Sequence, residues 1–170
     1  MSRFFELAAE RYSVRSFSPR AIEPDILRQV LEAGRIAPTA HNSQPQRIKI
    51  ISDPADLVKV DECTPCRYGA PVVLLICYDQ TVCYIRQYDD AKSGEVDASI
   101  VTTYLMLAAQ DYGLGSCWIM RFDPTKAVEL FALPREIVPV AMLALGYPSE
   151  TAAPSARHND RLPLEKTLFT

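Results

Sequence analysis

Residues 96–118 read VDASIVTTYLMLAAQDYGLGSCW. From Ala98 to Gln110 there is no charge, no glycine and no proline. Such a run is too short to span a bilayer and suits a buried core helix. Its apolar members, Ile100, Val101, Tyr104, Leu105, Leu107, Ala108 and Ala109, point nearly all the way round. A helix apolar on all sides is expected to be covered on all sides. Asp97 brings a negative charge to the N-terminal end of the helix dipole, and Gly113 and Gly115 follow the other end, where glycine is favoured. Ser99, Thr103 and Gln110 fall near one line, so the one polar stripe is small and uncharged. The stretch predicts a central helix that organises the domain and can also wall a flat, apolar site.

The rest of the chain sets the bounds. Its 170 residues suit one domain with a proper core. With 48% hydrophobic and 23% charged residues it reads as soluble and globular, and a net charge of −3 gives no reason to expect nucleic acid. The opening MSRFFELAAERY lacks an apolar signal-peptide core, and no run reaches membrane-spanning length. Five cysteines at irregular spacing, with no export signal, favour a reducing, cytoplasmic setting. Cys77 and Cys117 sit in apolar runs and read as buried thiols. Two histidines, His41 and His158, and a lone Cys63-x-x-Cys66 pair do not make a zinc site.

In chain order, residues 2–10 form a short amphipathic helix with Ser2 as its N-cap. Pro24 opens a second helix, which Gly34 and Pro38 are expected to end. Residues 47–52 read as a strand, 53–62 as a surface helix, and 70–78 (APVVLLICY) as a central strand, apolar almost throughout. A polar, tyrosine-rich excursion over 79–95 precedes the core helix. SCWIM, 116–120, is a short strand, Asp123 and Pro124 start a helix through Phe131, and 138–148 is the last core strand. From about 149 to 170 the chain is an extended polar arm, loose or laid along a partner subunit. One α+β domain results.

Three segments carry chemical promise. Arg11-Tyr12-Ser13-Val14-Arg15 puts alternate side chains of an extended loop on one side, giving forked guanidinium donors and a hydroxyl suited to phosphate. Pro38-Thr39-Ala40-His41-Asn42-Ser43-Gln44-Pro45 is a rigid, amide-bearing loop able to read the edge of a heterocycle. Gly115-Ser116-Cys117-Trp118-Ile119-Met120 leaves the core helix where a planar ring could meet its backbone. Each alone is also explained as a basic loop, a capped turn and a buried strand.

Taken together, in this order, the segments resemble the FMN-dependent nitroreductase family over nearly the whole chain. RYSVRSF is similar to that family's opening motif, APTAHNSQP to its amide loop, GEVDASIVTTYLMLAAQDYGLGSCWI to its central helix, and LALGYP with RLPLE to its last strand and C-terminal arm. The resemblance implies an α+β sandwich: a mixed or antiparallel central sheet flanked by helices, with a long buried central helix and an extended arm. It implies a homodimer with FMN at the interface. Arg11, Ser13 and Arg15 (with Tyr12 among them) would then hold the phosphate and ribityl chain, and Arg161 would add a cation. Pro38, Thr39, Ala40 and Asn42, with Gln44 nearby, would approach the flavin ring from the partner. Trp118, Ile119 and Met120 would line it.

The implied activity is hydride transfer from NADH or NADPH through FMN to a nitroaromatic, quinone or enone by a ping-pong mechanism, with no obligatory side-chain acid or base. Within the same fold the alternatives are dehalogenation and flavin cleavage; outside it, a non-catalytic flavin or nucleotide binder. The sequence departs from the family pattern at three places. Gln46 stands where an aromatic residue is common, Met120 where glycine is common, and Asn159 where the arm often has lysine, unless Arg157 supplies that charge.

Overall fold

The computed structural model describes residues 2–169. Its sheet is built round β2 (Val72–Asp79), which pairs antiparallel with β1 (Gln46–Ile51) and with β4 (Ile137–Gly146). At the far edge β3 (Gly115–Ile119) pairs antiparallel with β4, so the order is β1-β2-β4-β3. Every residue of β2 from Val72 to Tyr78 is buried, which explains its unbroken apolar sequence: both faces of the sheet are covered. Val73, Leu75 and Cys77 face a core shared with α3 (Pro54–Cys63) and α5 (Pro124–Leu130). Val72, Leu74 and Ile76 face α2 (Pro24–Arg35) and α4 (Gly94–Asp111). Cys77 and Cys117 are buried thiols as expected, and burial pushes Cys77 up to about 12. Among the described residues no helix is long and apolar enough to cross a membrane.

The central helix differs from its sequence reading in one respect. Gly94, Asp97, Ala98, Val101, Thr102, Leu105 and Ala109 of α4 are buried, but Val96 is 61% and Tyr104 39% exposed. The sheet and α2 lie on one side only, so a single chain covers one face of a helix that is apolar on both. Tyr104, Leu107 and Ala108 instead line an open groove of about 490 Å³ with Phe4 and Leu7 of α1 (Arg3–Glu10). The polar stripe is satisfied internally: Ser99 Oγ donates to the Glu95 carbonyl at 2.7 Å and Thr103 Oγ1 to that of Ser99 at 3.0 Å.

Gly113 adopts φ 73°, and its N–H donates to the Gln110 carbonyl while that of Leu114 reaches Ala109. These two bonds close the helix end and turn the chain straight into β3. Gly34, expected to end α2, lies inside its last turn. A Cβ there would sit 2.7 Å from Leu105 Cδ2, so its absence lets α2 and α4 approach closely. Ser2 caps α1, Pro24 opens α2, and Asp123 caps α5, as the sequence indicates.

Glu23, at the start of α2, joins that helix to the chain leaving β4. It accepts from Tyr147 Oη at 2.5 Å and from Arg20 at 2.6 Å, and Arg20 lies 3.9 Å over the Tyr147 ring. The Tyr147 hydroxyl, then the Arg20 guanidinium, hold the Glu23 carboxyl at about 2 instead of 4.5. Because the folded value is depressed, the tie is fully present above pH 4.5 and is lost as pH falls towards 2. Tyr147→Phe is expected to raise the Glu23 titration midpoint; carboxyl-resolved NMR over that range checks it, and an unmoved midpoint refutes the assignment.

Candidate functional site

Val14 anchors the first segment. Its side chain is buried, and its N–H donates to the Ser116 carbonyl at 2.9 Å, beside a parallel bridge between Ser13 and Ser116. With Val14 turned inward, Arg11, Ser13 and Arg15 emerge on the other side and, with Tyr12, form one wall of a cleft of about 150 Å³. The opposite wall comes from the arm: Ser155, Arg157, His158 and Arg161. Arg157 therefore occupies the cleft, whereas Asn159 lines a neighbouring hollow with Phe4, Phe5, Ala8 and Ala9.

The charges in this cleft are unbalanced. Among the described residues Arg11, Arg15, Arg157 and Arg161 form no ion pair, whereas Arg3, Arg20, Arg35, Arg47, Arg67 and Arg86 each meet a carboxylate. Arg15 is steered by backbone: its Nη1 donates to the Ser13 carbonyl at 3.3 Å, with the side chains of Tyr68 and Cys66 nearby. The Cys66 thiol beside it, then burial, raises the Tyr68 pKa. Arg161 Nη1 donates to the Asp160 carbonyl at 2.9 Å. Four guanidiniums held together without a counter-charge repel one another and suit a polyanionic group.

The second segment is an ordered loop. Thr39 Oγ1 accepts from the Gln44 N–H at 3.1 Å, and a single 3₁₀ turn spans Ala40–Asn42. His41, Asn42 and Gln44 take φ of 53°, 54° and 48°, a region that costs any residue but glycine. Something must hold them there. Asp97, 1% exposed, accepts from the Ala40 N–H at 2.8 Å and from Ser93 Oγ at 2.7 Å. The His41 ring stacks on Tyr84 at 4.3 Å and 8°, fixing the loop to the excursion over 80–93. Asp97 is thus a buried anchor of this loop, beyond its place at the helix dipole. The partner that makes it an anchor, Ala40, lies in another part of the chain, so the sequence shows only an acid before an apolar run. Asp97→Asn is expected to cost on the order of 1.5–3 kcal/mol, the worth of hydrogen bonds to a charged group. Chemical denaturation measures it, and a loss below about 0.5 kcal/mol would exclude the anchor role.

The third segment is β3 and its end. Ile119 points into the core shared with α3 and α5, so only its backbone can meet a ligand. Trp118 is half-buried, and Met120, just past the strand, is 66% exposed. Three side-chain polar atoms among the described residues are buried without a partner: Ser43 Oγ, Gln46 Oε1 and Trp118 Nε1. All three belong to the amide loop, the residue after it, or this strand. The structure brings the first and third segments together through Ser13 and Ser116. Ala40, by contrast, lines a different cavity of about 440 Å³, with Tyr84, Asp97 and Ile100. In one chain, then, the arginine cleft and the cavity beside the amide loop are separate.

A family model described as the nitroreductase family matches residues 8–65 and 64–147. An NADH dehydrogenase of Thermus thermophilus is 30% identical, over 95% of this chain and 93% of its own. A nitroreductase family protein from Clostridium difficile has a solved structure that superposes with a TM-score of 0.92 at 36% identity, over 99% of this chain and 98% of that one. A structure from Desulfovibrio desulfuricans, solved in complex with FMN, superposes with a TM-score of 0.81 at 26% identity, covering 100% of this chain and 97% of that one. The chain belongs to the nitroreductase family.

Proposed function

We propose that the protein is an FMN-dependent oxidoreductase that takes hydride from NADH or NADPH and passes it to an electron-poor acceptor such as a nitroaromatic, quinone or enone. The observation that carries this reading is the cleft of four unpaired arginines joined, through the Ser13–Ser116 bridge, to the strand bearing Trp118. Its donor set fits a phosphate monoester, and the orphaned Trp118 indole N–H fits the polar rim of a ring next to it. The nicotinamide and FMN names of the relatives above support the same chemistry.

In this reading Arg11, Arg15, Arg157 and Arg161 bind the phosphate, with Ser13 and Tyr12 between them. Trp118 and Met120 border the ring, and Ile119 offers backbone only. Pro38, Thr39, Ala40, Asn42 and Gln44 approach the ring from a second copy, since one chain keeps that loop in a separate cavity. The exposed apolar face of α4 and the exposed Leu162, Leu164 and Leu168 of the arm supply the surface for that homodimer. One domain with an arm from about 149 onward completes the unit, and five free cysteines suit a reducing cytoplasm. Bound FMN supplies the two-electron relay between donor and acceptor. The protein binds it, orients it and covers it from water; no side chain has to move a proton.

The test is an absorbance spectrum of the purified protein with FMN, before and after anaerobic NADPH and then NADH. Bleaching by either donor, followed by recovery with a nitroaromatic or quinone, is the expected result. Flavin that binds but is reduced by neither donor would overturn the oxidoreductase reading in favour of a non-catalytic binder.

A further inference from the structure

The arm that supplies half the arginine cleft is almost entirely solvent-exposed. From Ala153 to Phe169 every residue is exposed except His158, which is half-buried. Its Nε2 lies 3.1 Å from the carbonyl oxygen of Ala9, in the last turn of α1. A carbonyl only accepts, so Nε2 carries the hydrogen and donates. The Ala9 carbonyl is among those a helix end leaves without an internal partner, and a histidine donor is a favourable cap for it. The ring also meets Tyr12 edge-to-face at 6.2 Å. One side chain thus grips both a helix end and a cleft residue.

Arg157 and Arg161 flank this grip in sequence. The bonds of Arg161 run to carbonyls of the arm itself, those of Asp160 and Arg157, and give it no hold on the body of the protein. The Ala152 and Ser149 backbone bonds lie upstream, at the root of the arm. Within one chain, two cations on an otherwise exposed segment would spend most of their time away from the cleft unless that segment were tied down beside them, upstream of the leucines assigned above to the dimer surface.

We infer that His158 is a positioning residue: it pegs the arm to α1 and thereby presents Arg157 and Arg161 together to the phosphate of the flavin. The inference rests on the FMN reading above and adds to it a residue that need not touch the phosphate. It follows that the peg and the two arginines act as one unit, so their losses must not multiply.

The experiment is a titration of the full-length apoprotein with FMN and, in parallel, with riboflavin, which has the same ring and no phosphate. The variants are His158→Ala, His158→Gln, the pair Arg157→Ala/Arg161→Ala, and all three positions to alanine. His158→Ala is expected to weaken FMN about tenfold or more, the scale of a lost charge-assisted bond. Riboflavin affinity should hold within about twofold, and adding His158→Ala to the double-arginine variant should cost less than about threefold further. Glutamine, whose amide can still donate to Ala9, should restore most of the FMN affinity. The inference falls if His158→Ala leaves FMN affinity unchanged, if the losses multiply in the triple variant, if riboflavin weakens equally, or if glutamine behaves like alanine. Wild-type protein that takes up no FMN would instead overturn the underlying reading of the cleft.

Discussion

Leu105→Ala is expected to cost about 2–5 kcal/mol of folding stability, the range for emptying a buried leucine site. Leu105 is fully buried at the middle of α4, in the core shared with Val30, Leu74, Ile76 and Leu143. It also fills the space that Gly34 leaves open, so no neighbouring side chain on α2 can close over the gap. A rigid helix-to-helix contact collapses poorly, which places the expected loss in the upper half of that range. Leu105→Met keeps the volume and should cost less than about 1.5 kcal/mol. Urea unfolding of the three proteins measures both. A loss below about 1 kcal/mol for the alanine variant would mean that α4 is not the element on which the core depends.

Arg15→Ala is expected to weaken FMN binding by about 1.5–3 kcal/mol, roughly tenfold to a hundredfold or slightly more, through loss of a charge-assisted donor to phosphate. One bond, from Nη1 to the Ser13 carbonyl, already turns the Arg15 guanidinium to the cleft before any ligand arrives. That bond offsets part of the cost of ordering the side chain. Riboflavin should be bound as before, because the ring contacts are untouched. Raising salt should narrow the gap between wild type and variant, since an open cleft is screened. An unchanged FMN affinity, or an equal loss for riboflavin, would remove Arg15 from the phosphate site.

Most of the architecture was legible because it rests on local chemistry. The apolar run over 70–78 announces a strand covered on both faces, and β2 is that strand. Proline at a first turn, aspartate before it and glycine after a helix mark boundaries that depend on backbone donors alone, and Pro24, Asp123 and Gly113 mark them here. Periodicity, however, reports what a side chain needs and not which molecule supplies it. Hence α4 reads as covered all round, while a single chain covers one face.

Residues that act across the chain were less visible. Asp97 and Ala40 are far apart in sequence, as are His158 and Ala9, and nothing local distinguishes a buried anchor from a solvated charge. Gly34 looks like a helix stop because glycine commonly is one; only the position of Leu105 reveals a close approach. The sequence offers Arg157 as a substitute for the charge missing at Asn159, and the arm places Arg157 in the cleft and Asn159 in the neighbouring hollow.

The loop of three left-handed, non-glycine residues has a consequence for how fast a ligand can be received. Its awkward backbone is secured from two sides, by Asp97 on the Ala40 amide and by Tyr84 on the His41 ring. Both fastenings form when the chain folds. A ring arriving against this loop need not first recruit a rare shape from a floppy population, so its capture should be a single kinetic phase, with no slow rearrangement trailing the encounter. The strain is carried permanently by the fold, so under the proposed function the ring meets a seat already set.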